Sequence, residues 1–355
     1  MNTQDDHGRN LEGHQGCVID IGSGRYRLDK FLGRGKFGTV WRAEDIDEND
    51  TVAVKVFRRD ARVDPAEEAR IQRKLTGDAR IVGLRNFDAR SGAQPIIAME
   101  YIEGGSIDRR LDHGPVGVVL AKRWAHDALE ALARAHANGI VHRDVRASNL
   151  LLDRTKHAML SDFGVSADTI RGVIADKHGY NAVAPPEIAS GGVIGKPTDV
   201  WAVGCLIYLL ITGDYPYEDA HAAARGGHEP LHRRDLQVPM ALSRVVDRAL
   251  DADPDRRYRD AGEMLTALSP LPIVNNWTAV DDDNAAAEAW ETTTQQGRFY
   301  HVEITPRQAG GYVVTARTTP GNKLNRRRNE PAKTMASARQ IARRWLTDVV
   351  QGGTL

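Results

Sequence analysis

The sequence predicts an α+β protein: a β-rich lobe, then a helical lobe, then a small C-terminal α/β domain. Three features predict it. From Tyr26 to about Leu84 apolar residues alternate or run in short stretches between glycines, as strands do. After Gly104-Gly105 the spacing becomes that of amphipathic helices. Near Leu268 the prolines of "SPLPIVNN" interrupt that pattern, and a second α/β pattern begins. A chain of 355 residues suits one large and one small domain.

Lys plus Arg and Asp plus Glu both number 48, so overall charge selects no partner. Two cysteines, Cys17 and Cys205, make no disulfide framework and suit a reducing compartment. The longest apolar run, Val200 to Thr212, falls short of the about 20 residues that span a bilayer. The polar N-terminus holds no signal-like stretch, so a cytoplasmic protein without membrane association is expected.

The elements follow in order. Residues 1–24 read as a disordered tail. "YRLDKFLGRG", "GTVWRAEDI" and "TVAVKVF" read as strands. "PAEEARIQRKL" reads as a helix with Ile71 and Leu75 on one face, and "PIIAMEYI" as a further strand. "VGVVLAKRWAHDALEALARAHANG" is a long amphipathic helix that Gly139 is placed to end. Further helices are expected at about Thr198–Thr212, Leu242–Ala252 and Ala261–Leu268, with a linker at 270–280. "DDDNAAAEAWE" reads as a helix with acidic residues in its first turn. "RFYHVEIT" and "GYVVTAR" read as strands joined across Gly310-Gly311. The final helix carries Met335, Ala338, Ile341, Ala342, Trp345, Leu346 and Val349 on one face.

Chemistry concentrates in a few stretches. "GRGKFGTV" sets Gly33, Gly35 and Gly38 between two strands, where missing side chains let backbone N–H groups approach phosphates. A dinucleotide fold would follow with a helix, but "TVWRAEDI" continues as strand. Lys55 ends the alternating "VAVK"; facing inward it needs a carboxylate, with Glu68 the expected partner and Glu67 the alternative. "HRDVRASN" brings Asp144, Arg146 and Asn149 together, and "SDFG" adds Asp162. Asn149 and Asp162 offer hard oxygens suited to Mg²⁺ on phosphates, leaving Asp144 to accept a hydroxyl's proton. "PPEI" and "TDVWAVG" follow.

This ordered set resembles the eukaryotic-type (Hanks-type) protein kinases over roughly Tyr26 to Leu268. The resemblance implies a bilobal kinase domain at 25–269, its N-lobe about 25–102 and its C-lobe about 103–269, with a small basic domain at 281–355. It implies ATP and Mg²⁺, or Mn²⁺, as cofactors. Gly33, Gly35 and Gly38 would cover the nucleotide, and Val40 and Ala53 would line it. Met99 would be the gatekeeper, and the backbone of Glu100 and Ile102 would receive the adenine. Lys55, paired with Glu68, would hold the α- and β-phosphates. Asp144 would be the base, Arg146 a phosphate-facing cation, and Asn149 and Asp162 the metal ligands. Asp199 would brace the catalytic loop, and Glu187 would pair with Arg257.

Several positions depart from the family pattern. Arg146 stands where most serine/threonine members carry lysine, and some tyrosine kinases have arginine there; the charge is kept. Tyr180 replaces a usual threonine, and Pro185 replaces the alanine of A-P-E. The helical lobe looks like that of bacterial serine/threonine kinases, so Ser/Thr transfer is expected over Tyr. Ser166, Thr169 and Tyr180 are the activation-loop hydroxyls that phosphate could modify, but the threonines typical of bacterial relatives are missing. With Glu68 as the pairing residue, Gln72 falls at a usually apolar place and is expected to loosen the active arrangement. The alternative reading is a pseudokinase scaffold that binds nucleotide and presents the basic domain to a partner.

Between Arg298 and Arg344 lie eleven Arg/Lys and two acids, Glu303 and Glu330. A basic loop before a basic helix would suit a phosphate backbone, or dock on a protein partner or on the kinase itself. The expected helix–strand–strand–helix order looks loosely like a double-stranded-RNA-binding domain.

Overall fold

The structure, a computed structural model, describes residues 15–22, 24–35, 37–58, 64–89, 94–163, 167–168, 184–189, 191–280, 286–319 and 326–354. The chain divides into two compact units, Met1–Arg109 with Glu130–Val173, and Arg110–Leu129 with Ile174–Leu355.

The first unit is built on a six-stranded antiparallel sheet, in the order β1-β2-β3-β4-β6-β5. Its strands are β1 (Val18–Ile21), β2 (Gly24–Arg34), β3 (Gly38–Asp45), β4 (Asp50–Phe57), β5 (Leu84–Asp88) and β6 (Ile96–Glu100). Helix α1 (Pro65–Leu75) lies between β4 and β5 in the chain. Asp64 starts it by accepting from the backbone N–H groups of Ala66 and Glu67, the usual remedy for unpaired donors at a helix start. The expected tail at 1–24 is corrected over its last residues, while residues 1–14 lie outside the described residues. Val18–Ile21 pairs with β2 and buries Ile19 and Ile21, an alternation too short to stand out beside its polar neighbours.

Short helix α2 (Ile107–Leu111) and the long helix α3 (Val118–Ala137) follow. Gly139, at φ 76°, takes the left-handed conformation that ends α3. Two short strand pairs come next: β7 (Ile140–Val141) pairs with β10 (Ala167–Asp168), and β8 (Leu150–Leu152) with β9 (Ala158–Leu160).

In the second unit, α4 (Pro186–Ala189), α5 (Lys196–Thr212), α6 (Ala220–Arg225), α7 (Leu231–Arg234), α8 (Met240–Ala249) and α9 (Ala261–Leu268) form the helical part. Every residue of α5 from Thr198 to Tyr208 is buried, which explains its apolar composition without a membrane. Among the described residues no helix is long and apolar enough to cross one.

The C-terminal part is a five-stranded antiparallel sheet of β11 (Thr278–Ala279), β12 (Glu288–Thr293), β13 (Phe299–Pro306), β14 (Tyr312–Thr319) and β15 (Arg326–Ala332). Helix α10 (Met335–Val350) packs on β13, β14 and β15. This corrects two expectations. The end of the expected "DDDNAAAEAWE" helix is strand β12, where Trp290 pairs with Val302 and is buried; pairing overrides the helix preference of Ala and Glu. Residues 281–285 of that stretch lie outside the described residues. The expected basic loop is in part edge strand β15, hidden from pattern reading because "RRRNEPA" does not alternate apolar and polar. With five strands before its helix, this part does not have the order of a double-stranded-RNA-binding domain.

The stretch expected as a linker is held from two sides. Asn275 donates through Nδ2 to the Val349 carbonyl at 2.8 Å, and Trp277 donates through Nε1 to that of Leu346 at 3.0 Å. Asn276 accepts the Val119 N–H at 2.9 Å, and Gln237 accepts the Trp277 N–H at 3.0 Å.

Candidate active site

β4 carries Lys55 inward from the sheet, and the residue is 5% exposed. A buried ammonium needs partners, and it has two. Its Nζ lies 2.7 Å from Glu68 Oε1 on α1 and 2.8 Å from Asp162 Oδ1. Glu68, not Glu67, therefore faces Lys55; Glu67 forks instead with Arg70 on the outside of the helix. Burial works against the charge on Lys55, but the carboxylates of Asp162 and Glu68 outweigh it and raise its pKa. Burial pushes the Glu68 carboxyl up to about 7 against the pull of Lys55.

The stretch from His142 to Asn149 is fixed by its own polar groups. Asn149 Nδ2 donates to both the carbonyl and Oδ2 of Asp144, each at 2.8 Å. That orientation leaves Asn149 Oδ1 as an acceptor. His142, fully buried, bonds the Ser161 carbonyl at 3.0 Å through Nε2, and its Nδ1 accepts the Asp144 N–H at 3.2 Å. Ser161 Oγ donates to the Asn149 carbonyl at 2.9 Å. Thus the base candidate Asp144 and the oxygen-ligand candidate Asn149 share one hydrogen-bonded web with Ser161, and Asp162, bonded to Lys55, is the next residue in the chain.

Burial raises the Asp144 carboxyl above its ordinary value, opposed by His142, the Asn149 amide and Arg146. Arg146 itself is exposed. Asp162 sits at φ 63°, a conformation rare outside glycine, and such strain gathers where function needs a side chain aimed.

The expected nucleotide-lining residues meet in one apolar cluster. Ala53, Met99 and Ile102 are among its buried residues, with Val40 and Leu151 packed against them. Leu151 was not foreseen; its place on β8, two residues after Asn149, was the available signal. His142 and Ser161 likewise stood in the motifs with no role assigned.

The glycines divide. A Cβ on Gly38 would lie 2.1 Å from the Val56 carbonyl oxygen, so the β3–β4 pairing itself demands glycine. Gly33 and Gly35 have open space where a side chain would go. Ser166, Thr169 and Tyr180 lie outside the described residues.

The donor set tests the expected ligands. Hard oxygens from Asn149 and Asp162 suit Mg²⁺ or Mn²⁺, Lys55 suits phosphate, and the apolar cluster suits a purine. The residues present fit ATP with a divalent cation.

A family model for the protein kinase domain matches residues 26–265. The chain belongs to the protein kinase family. It is 33% identical over 267 residues to serine/threonine-protein kinase PknB of Mycolicibacterium smegmatis, covering 69% of this chain and 43% of that protein. It is 30% identical over 249 residues to CBL-interacting serine/threonine-protein kinase 12 of Arabidopsis thaliana, covering 66% of this chain and 50% of that one. Putative CBL-interacting protein kinase 27 of Oryza sativa subsp. japonica is 30% identical over 281 residues, covering 73% and 69%. The kinase thus spans half or less of the length of the first two relatives.

In the helical part of the kinase, Arg257 forks onto Glu187 with bonds of 2.9 and 2.7 Å. The guanidinium also donates to the carbonyls of Asp251 and Pro197 and lies 4.7 Å from the centre of the Trp201 ring. Asp199, in the first turn of α5, is fully buried.

Gln72 corrects an expectation. Its polar side chain is satisfied at that usually apolar place: the residue is 2% exposed, and its amide donates to the Val82 carbonyl at 3.0 Å. Several C-terminal arginines are paired within their own domain. Arg317 pairs with Glu303 at 2.6 Å, Arg344 with Glu330 at 2.7 Å, and Arg339 with Glu288. Part of the basic charge is therefore spent inside the domain.

Proposed function

We propose that this kinase is an active enzyme that moves the γ-phosphoryl group of ATP to a protein hydroxyl, on serine or threonine rather than tyrosine. The observation that carries this reading is Lys55, held between Glu68 and Asp162 in the unit that also contains Asp144 and Asn149. A scaffold without catalysis would be free to lose these groups, and all are present, Lys55 bonded to Glu68 and Asp162, and Asp144 to Asn149. The relatives named as serine/threonine kinases support the choice of acceptor.

In this reading Asn149 and Asp162 hold the cation, which neutralises phosphate charge when bound. Lys55 binds and orients the phosphates, and Val40, Ala53, Met99 and Leu151 enclose the base. Asp144 orients the acceptor hydroxyl and receives its proton. The hydroxyl oxygen then forms a bond to phosphorus as the bond to the ADP oxygen breaks. Arg146, exposed and always charged, offsets charge on the transferring group.

The test is transfer from labelled ATP with Mg²⁺, followed by phosphoamino-acid analysis. Wild type should label serine or threonine. Asp144→Ala should lower kcat by about 10²–10⁴-fold, the usual worth of a positioned base, and Asp162→Ala should abolish transfer. A wild type that binds ATP and labels nothing overturns the reading.

We further propose that the C-terminal sheet domain contacts a protein partner or restrains the kinase. The internal pairing of Arg317, Arg339 and Arg344 supports this over nucleic acid, since paired arginines release fewer counterions.

A further inference from the structure

Gln72 lies one helical turn beyond Glu68, so both side chains project from the same face of α1. Glu68 reaches Lys55, while Gln72 reaches the carbonyl of Val82, a residue with no exposed surface. One turn further, Thr76 Oγ1 donates to the Gln72 carbonyl at 2.8 Å and accepts the Leu84 N–H at 3.1 Å. Residues 82–84 are thus bolted to the helix by side chains at two successive turns.

The same segment is bonded on its other side. The Val82 N–H donates to the Leu160 carbonyl at 3.0 Å, and the Leu160 N–H to the Arg80 carbonyl at 2.8 Å. Leu160 ends β9; Ser161 follows, bonded to Asn149, and then Asp162. The segment 80–84 therefore touches both the helix that carries Glu68 and the strand that leads to Asp162. Both carboxylates holding Lys55 thus stand on, or directly after, elements bonded to this segment.

We propose that Gln72 is a positioning residue: through the Val82 carbonyl it sets the register of α1 on the segment 80–84, so that the Lys55–Glu68 pair forms without a partner protein to press the helix in. This rests on the kinase reading and adds to it how the active arrangement is maintained. An apolar side chain of the same length would fill the space but leave a buried carbonyl unpaired, and α1 would gain freedom to leave Lys55. Polar bolts also have direction, which apolar contacts lack, so a helix held this way has one preferred register.

The test compares the full chain with Gln72→Met, which keeps length and loses the donor. Three quantities are read: kcat and KM for ATP, amide hydrogen exchange across residues 68–75, and the thermal midpoint. For the variant, kcat should fall about tenfold, the scale of one lost bond to a buried group, with KM for ATP within about twofold. The α1 amides should exchange faster while those of β3 and β4 keep their protection. A purely structural role would lower the midpoint but leave kcat unchanged when assayed well below it, and that result overturns the proposal. So does unchanged exchange in α1. If Gln72→Met does not fold, Thr76→Val removes the second bolt and should shift kcat and exchange in the same direction by less. A wild type without phosphate transfer defeats the kinase reading instead, and the exchange of α1 then decides on Gln72 alone.

Discussion

At the scale of single residues, the three glycines of "GRGKFGTV" look alike in sequence and differ in structure. Gly38 is demanded by the Val56 carbonyl 2.1 Å from where its Cβ would stand. Gly38→Ala should force β3 from β4 and cost about 1–3 kcal/mol, as overpacking does; urea denaturation checks this. Gly33→Ala and Gly35→Ala meet nothing within 4 Å, so stability should hold. If the backbone there approaches phosphates, KM for ATP should rise instead. Lys55 shows the opposite case, a residue whose meaning was legible early. An inward lysine on an alternating strand must find an acid, and the structure supplies Glu68 and Asp162.

At the scale of elements, ion pairs join segments far apart in the chain. Arg257 follows the short turn at Pro254–Arg256, yet its guanidinium closes on Glu187 of α4 and the ring of Trp201 in α5. With the Arg257 side chain fully buried and that of Glu187 7% exposed, the pair cannot lose one member cheaply. Arg257→Met should leave Glu187 as an uncompensated buried charge and destabilise the helical part by about 3–5 kcal/mol. Chemical denaturation followed by Trp201 fluorescence reads the effect; a loss under about 1 kcal/mol would show water reaching Glu187. Helices with a clear apolar face were legible: α1 and α9 begin and end where their spacing indicates. Strands without alternation were not. β5 and β15 are polar edge strands, recognisable only by the neighbours they pair with.

At the scale of the molecule, the stretch between the helical part and the C-terminal sheet acts as a joint with bonds on both sides. Trp277, 4% exposed, bonds Leu346 of α10 through its indole and Gln237 through its backbone. Trp277→Ala should open a cavity there and cost about 3–5 kcal/mol. The sheet should then unfold before the helical part, giving two transitions by calorimetry where wild type should give one for this unit. A single unshifted transition would mean that the joint carries no coupling.

What the amino-acid sequence determined on its own was the local chemistry and its order: glycines, lysine, acid, amide and acid at spacings that only one family of folds uses. The lysine, the acids and the amide announce themselves because each, buried, needs a charged or polar partner. The tertiary structure alone decided which of two adjacent glutamates faces Lys55, why Gly38 admits no side chain, and that Gln72 fastens α1. It also decided that the end of an alanine-rich stretch, from Glu288 on, becomes strand β12. Each of these turns on a neighbour distant along the chain, such as the Val56 or Val82 carbonyl or Val302, and no residue's own preference encodes where such a neighbour will be.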